Sequence, residues 1–254
     1  MTWWDAAFLA AAGVVGGLTG SIAGLASIAT YPALLVVGLP PVAANVTNTV
    51  ALVFNGVGSV WGSRPELAGQ GPWLRRILPA TAVGGAVGAA LLLTTPAGGF
   101  EKLVPILLAM ASVAIMLPRR PAAEATVADH RRYSSGQVLE AAAIFLICIY
   151  GGYFGAAAGV LLLALLLRTG HMPLAEANAA KNVILGVANT VAALAFAVLA
   201  PVNWVAVAAL GLGCLFGSAL GPVVVRHTPA GPLRVLIAVA GLALAVKLGV
   251  DAYA

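Results

Sequence analysis

Charge is the scarcest thing in this chain: 8% of its 254 residues are charged and 61% are hydrophobic, with a mean hydropathy of +1.03. Ordinary soluble domains carry roughly 25% charged residues. So apolar a composition leaves too little polar surface to face water, and it makes the bilayer the solvent. Cysteine is nearly missing as well. Cys148 and Cys214 lie in apolar runs without the CxxC spacing of a redox or zinc site, and they read as small helix-packing residues. His130, His171 and His227 are isolated, so neither a metal site nor a bound cofactor is expected. No Gly-Lys-Ser/Thr phosphate loop is present for ATP hydrolysis, and nothing else in the inventory reads as an enzyme. The eight acidic residues, from Asp5 to Asp251, all fall in loops or near predicted helix ends, so none is placed like the proton relay of a pump. The net charge of +5 comes with no basic helix or interleaved aromatics, which excludes a nucleic-acid partner.

What is present is long apolar runs. Six of them predict ordinary spans of about 20 residues: Pro41 to Trp61, Leu74 to Leu93, Leu103 to Leu117, Leu174 to Leu199, Val202 to Val225 and Leu233 to Val250. Two more, Ala6 to Leu39 and Val138 to Leu167, are too long for one straight crossing. Glycines interrupt each near its middle: Gly13, Gly16, Gly17, Gly20 and Gly24 in the first, Gly151, Gly152, Gly155 and Gly159 in the second. The start, Met1-Thr2-Trp3-Trp4-Asp5, has no basic region ahead of its apolar run. It therefore argues for interface-anchoring tryptophans on a first helix rather than for a secretory signal.

The chain also repeats itself. Gly20 and Gly24 pair with Gly155 and Gly159, Asn48 and Asn55 with Asn182 and Asn189, and Trp73 with Trp204, while Thr95-Pro96-Ala97-Gly98 recurs as Thr228-Pro229-Ala230-Gly231. If each long stretch crossed once, the 13 Lys and Arg would divide eight to five between the two faces. If each is a hairpin of two helices, only Lys102 and Lys247 leave the face shared by the others. The positive-inside rule therefore selects hairpins, with the basic face cytoplasmic and both termini outside. Each half then holds five segments, an odd number, and the halves enter the membrane from opposite sides. The expected fold is an all-α polytopic membrane protein of two inverted repeats, each a glycine-broken helical hairpin plus three transmembrane helices. The N-terminal repeat takes residues 1–118, a polar cytoplasmic linker 119–136 and the C-terminal repeat 137–254. A duplicated unit in so apolar a chain points to a transporter.

Hydrocarbon does not tolerate unpaired backbone groups, so a glycine-broken hairpin must be buried in protein or line a cavity. Helices that begin at such breaks bring free N–H groups and partial positive charge with them, which suits an anion. Asn48 and Asn55 are seven residues apart and share a helix face, as do Asn182 and Asn189; Asn45 and Asn178 stand earlier on the same helices. Lys181 lies well inside its apolar run, beside Asn182, and its approximate repeat counterpart is Thr47. Each feature also has a plainer reading: close helix packing for the glycines, interhelical hydrogen bonds for the amides, snorkelling for the lysine. The expected substrate-binding residues are Gly20, Gly24, Asn48, Asn55, Gly155, Gly159, Lys181, Asn182 and Asn189.

Pro32 after the first glycine-rich segment, then Gly38-Leu39-Pro40-Pro41-Val42-Ala43-Ala44-Asn45, resembles the opening of the TauE/SafE (TSUP) family of sulfite and sulfonate exporters. Gly151 to Gly159 is similar to that family's second glycine block, and Pro201-Val202-Asn203-Trp204 to its short turn ending in tryptophan. Departures are Ala23-Gly24-Leu25-Ala26 and Ala156-Ala157-Ala158, where the family often has consecutive glycines, and Asn203, where an aspartate is common. The resemblance implies a small sulfur-containing anion of the sulfite, sulfonate or sulfoacetate type. The expectation is a secondary transporter exporting it across the bacterial inner membrane by alternating access, with a passive anion channel or an uptake carrier as the alternatives.

Overall fold

The computed structural model describes residues 1–96, 98–100, 102–106, 109, 133–156, 158–169, 172–227, 239, 242–243, 246 and 249–250. Nearly all of the linker, most of the spans predicted at Leu103 to Leu117 and at Leu233 to Val250, and the second Thr-Pro-Ala-Gly run lie outside the described residues.

Eight helices make up the described architecture: α1 Trp3–Ala23, α2 Ala26–Val36, α3 Pro41–Gly62, α4 Gly71–Thr94, α5 Tyr133–Tyr153, α6 Ala158–Thr169, α7 Leu174–Leu199 and α8 Trp204–His227. Their ends have local causes. Thr2 and Asp5 form a reciprocal capping box at the start of α1. Gly24, left-handed at φ +75°, stops that helix. Prolines stand in the first turn of α3 and α4, where a missing N–H leaves no bond unmade. Asn203 accepts from the Ala206 N–H at 3.0 Å and so caps α8. Among the described residues four helices, α1, α4, α7 and α8, are long and apolar enough to cross a membrane. α3 has the length, but its buried side carries Asn45, Thr47, Asn48, Thr49 and Ser59.

Both long glycine-broken stretches are two helices. α2 folds back along α1, with Gly16 against Thr30 and Gly20 against Ala26. α1 and α8 run parallel: Gly13 meets Leu210 and Gly17 meets Cys214, while Gly213 and Gly217 meet Ala10 and Val14. α3 is parallel to α8 too, through Gly58 against Leu215 and Gly62 against Ala219. α1 and α3 therefore point the same way with α2 returning between them, which a hairpin requires and a single crossing forbids. In the other half Gly84 meets Phe145 and Gly88 meets Ile149, so α4 and α5 are parallel. In lipid such close backbone approach replaces the hydrophobic drive that water would supply.

The fourth helix of each half packs away from its own half. α8 lies on α1 and α3, and α4 lies on α5 and α7. Two interleaved bundles result, α1, α2, α3 and α8 in one and α4, α5, α6 and α7 in the other. One buried core runs through the first bundle and reaches Phe154, Ala156 and Val160 at the α5–α6 break, Leu92 of α4, Phe196 of α7, and Phe100 and Val104. A second is made wholly by α4 to α7. Cys214 belongs to the first core and Cys148 to the second, each buried against a glycine face.

Candidate functional site

The two breaks meet in the middle of the fold. Gly24 and Gly155 both take left-handed backbone, at φ +75° and +73°. This corrects the pairing expected from sequence: Gly24 is equivalent to Gly155, at the same offset as Trp73 and Trp204, and Gly159 plays another part. A Cβ on Gly24 would lie 2.3 Å from the Gly159 Cα, and one on Gly159 would lie 2.3 Å from the Gly24 Cα. The α1–α2 break is thus seated on the start of α6. Nearby, α3 and α7 cross at Gly56 and Gly186, where a Cβ on Gly56 would come within 3.1 Å of the facing Cα.

A helix that stops inside the protein leaves carbonyls needing donors. For α1 the Gly24 and Leu25 N–H groups serve Gly20 and Thr19, and α7 supplies the rest. Asn178 Nδ2 donates to the Ser21 carbonyl at 2.9 Å, Asn182 Nδ2 to the same oxygen at 3.5 Å, and Lys181 Nζ to Gly20 and Ser21 at 3.1 and 3.2 Å. Lys181 is 1% exposed, so it does not snorkel to the surface. Its charge sits where the dipole of α1 places partial negative charge. For α5 the donor comes from α3: Asn45 Nδ2 reaches the Tyr153 carbonyl at 2.8 Å. Asn45 and Asn178, which the expected site left out, thus do the same work for opposite halves. Their position one turn before Asn48 and Asn182 was the signal that could have found them.

The asparagines at corresponding positions have different partners. Asn48 donates to Ser27 Oγ at 3.2 Å and lies 2.5 Å from Thr30 Oγ1, tying α3 to the first turn of α2. Thr30 has one proton for two acceptors, the Asn48 Oδ1 and the Ala26 carbonyl 2.9 Å away. Asn55 lies against α1, where a Cβ on Gly20 would be 3.1 Å from its Oδ1, and that oxygen is buried without a hydrogen-bond partner. Gly155 and Asn189 line a small cavity with Ser27, Thr49, Leu52, Gly151, Phe154, Ala158 and Leu185. Its volume of about 20 Å³ holds a water. Walls from α2, α3, α5, α6 and α7 place it beside the first turns of α2 and α6. Of the nine expected residues, Gly155 and Asn189 line the cavity and Gly24 and Gly159 form the crossing. Gly20, Lys181 and Asn182 gather at the end of α1, where Gly20 also meets Asn55, and Asn48 holds α2.

Residues 9–248 match the family described as sulfite exporter TauE/SafE. The chain belongs to the TauE/SafE family. It is also similar to a probable membrane transporter protein, ORF9, of Sinorhizobium sp, with 27% identity over 248 residues, 96% of this chain and 92% of that one. No solved structure matches it. This TauE/SafE chain is a membrane transporter, built from helices alone among its described residues. The departure at Asn203 has a local explanation, since an amide oxygen caps α8 as a carboxylate would.

Proposed function

We propose that this TauE/SafE transporter exports a small sulfur-containing anion, of the sulfite, sulfonate or sulfoacetate type, across the bacterial inner membrane. The observation that carries the reading is the cavity between the bundles, bordered by two helix starts, the Ser27 and Thr49 hydroxyls and the Asn189 amide. Helix N-termini and neutral donors suit an oxyanion without neutralising it outright. In this reading Asn189, Ser27 and the N–H groups at the starts of α2 and α6 touch the anion. Gly20, Gly24, Gly159, Asn48, Asn55, Lys181 and Asn182 shape and position the site.

At about 20 Å³ the cavity is too small for sulfite, so loading requires the walls to part. The bundles are the natural moving bodies, and their exchange of fourth helices fits two halves related as inverted repeats. With the basic turns inside and both termini outside, an inside-negative potential favours anion exit by about 2.3 kcal/mol per charge per 100 mV. Export then needs no intramembrane carboxylate.

Reconstituted liposomes loaded in turn with sulfite, sulfate, thiosulfate, taurine and sulfoacetate test this. Saturable efflux of at least one, stimulated by the same anion on the opposite side and weakened in Asn189→Ala, is expected. Single-channel currents would replace the carrier with a channel, and indifference to every anion would remove the substrate class.

A further inference from the structure

On the flank of the same α3–α7 crossing lies a second space, an open groove of about 500 Å³. Its walls are six valines, Val57 and Val187 among them, with Gly56 and Gly186 among its lining residues. Thr190 is the one hydroxyl in the lining, and it already donates to the Gly186 carbonyl at 2.7 Å. The walls therefore offer nothing to a polar solute and suit a hydrocarbon chain. Only one end differs. There Trp61, 64% exposed in the last turn of α3, carries the Arg64 guanidinium 4.0 Å above its ring. A tryptophan in that position marks the level of lipid headgroups, and an arginine fork binds phosphate oxygens in pairs. Arg64 is the one charged residue in the lining, and it is exposed.

We infer that the α3–α7 groove binds one anionic phospholipid, an acyl chain lying along the valines and the phosphate on Arg64. A zwitterionic headgroup brings its own amine to the phosphate and gains less from the arginine. The site also bridges the bundles, because α3 belongs to one and α7 to the other. A chain lodged there would make lipid composition a regulator of their relative movement.

Native mass spectrometry of the full-length protein in detergent, titrated with phosphatidylglycerol and with phosphatidylcholine, tests the inference. One phosphatidylglycerol per chain should be held preferentially, and Arg64→Gln should lower that affinity about fivefold, the worth of one basic residue at a membrane surface. Val57→Trp, which fills the groove from its 57% exposed position, should abolish retention while leaving the thermal unfolding midpoint in place. Inorganic phosphate should not compete, since the chain supplies most of the affinity. Equal retention of both lipids, or unchanged retention in both variants, would overturn the inference. So would a dimer that Val57→Trp converts to monomers, because the groove would then belong to a second copy.

Discussion

The Lys181 ammonium reaches the carbonyls of Gly20 and Ser21 at 3.1 and 3.2 Å from the opposite half of the chain, adding a charged donor to the Gly24 N–H that already serves Gly20 and the Asn178 amide that serves Ser21. Replacing it with methionine keeps the volume and removes the donors. Lys181→Met should therefore lose about 1.5–3 kcal/mol of stability, the range for hydrogen bonds to charged groups, seen as a lower Tm in detergent. An unchanged Tm would mean the carbonyls find other partners. Residue chemistry also explains why Asn48 and Asn182 diverge. Asn48 faces Ser27 and Thr30, whereas the positions equivalent to these on α6, at the Gly24-to-Gly155 offset, are Ala158 and Leu161. With no hydroxyl at those two positions, Asn182 turns to Ser21 of the other half. Those substitutions were legible in the sequence, but which oxygen would receive the amide was not.

At the scale of elements, the breaks determine the shape of both hairpins. α2 and α6, with 11 and 12 residues, extend about 17–18 Å at 1.5 Å per residue, short of the roughly 30 Å hydrocarbon core. Gly24 and Gly38 separate two reasons for needing glycine. Both have positive φ, but a Cβ at Gly38 meets nothing within 4 Å, while one at Gly24 collides with Gly159. Gly38→Ala should cost about 1–2 kcal/mol, the left-handed penalty alone. Gly24→Ala should add about 1–3 kcal/mol of overpacking and stop anion flux, measured by Tm and liposome efflux together. Equal effects at the two sites would mean that the crossing is not rigid. The slipped glycine pairing arose here as well. Gly16, Gly20 and Gly24 recur every four residues, as do Gly151, Gly155 and Gly159, so a shift of one helical turn matches almost as well as the true register.

For the whole molecule, the exchange of α4 and α8 makes the packed bundles differ from the sequence halves. If transport separates the bundles, a bond across α3 and α7 should lock it. With Cys148 and Cys214 replaced by alanine, Gly56→Cys paired with Gly186→Cys should carry flux when reduced and lose it when oxidised. Flux that persists in the oxidised form would place the movement elsewhere. The cysteine-free background should itself transport normally, because the two native thiols lie in separate cores.

Hydrophobicity acts locally and additively along a chain, so the apolar runs, their glycine breaks and the hairpin parity of basic residues could all be read without coordinates. α7 begins and ends at the predicted residues, and α3 and α4 start and stop within three of theirs. Partner choice is a different kind of quantity. Where α8 lies on α1, where Gly24 meets Gly159 and what the Lys181 ammonium touches depend on contacts between residues more than a hundred positions apart. Many arrangements would satisfy the same apolar pattern. The tertiary structure selected one, through glycine faces that let particular helices approach and through broken helix ends that must find donors.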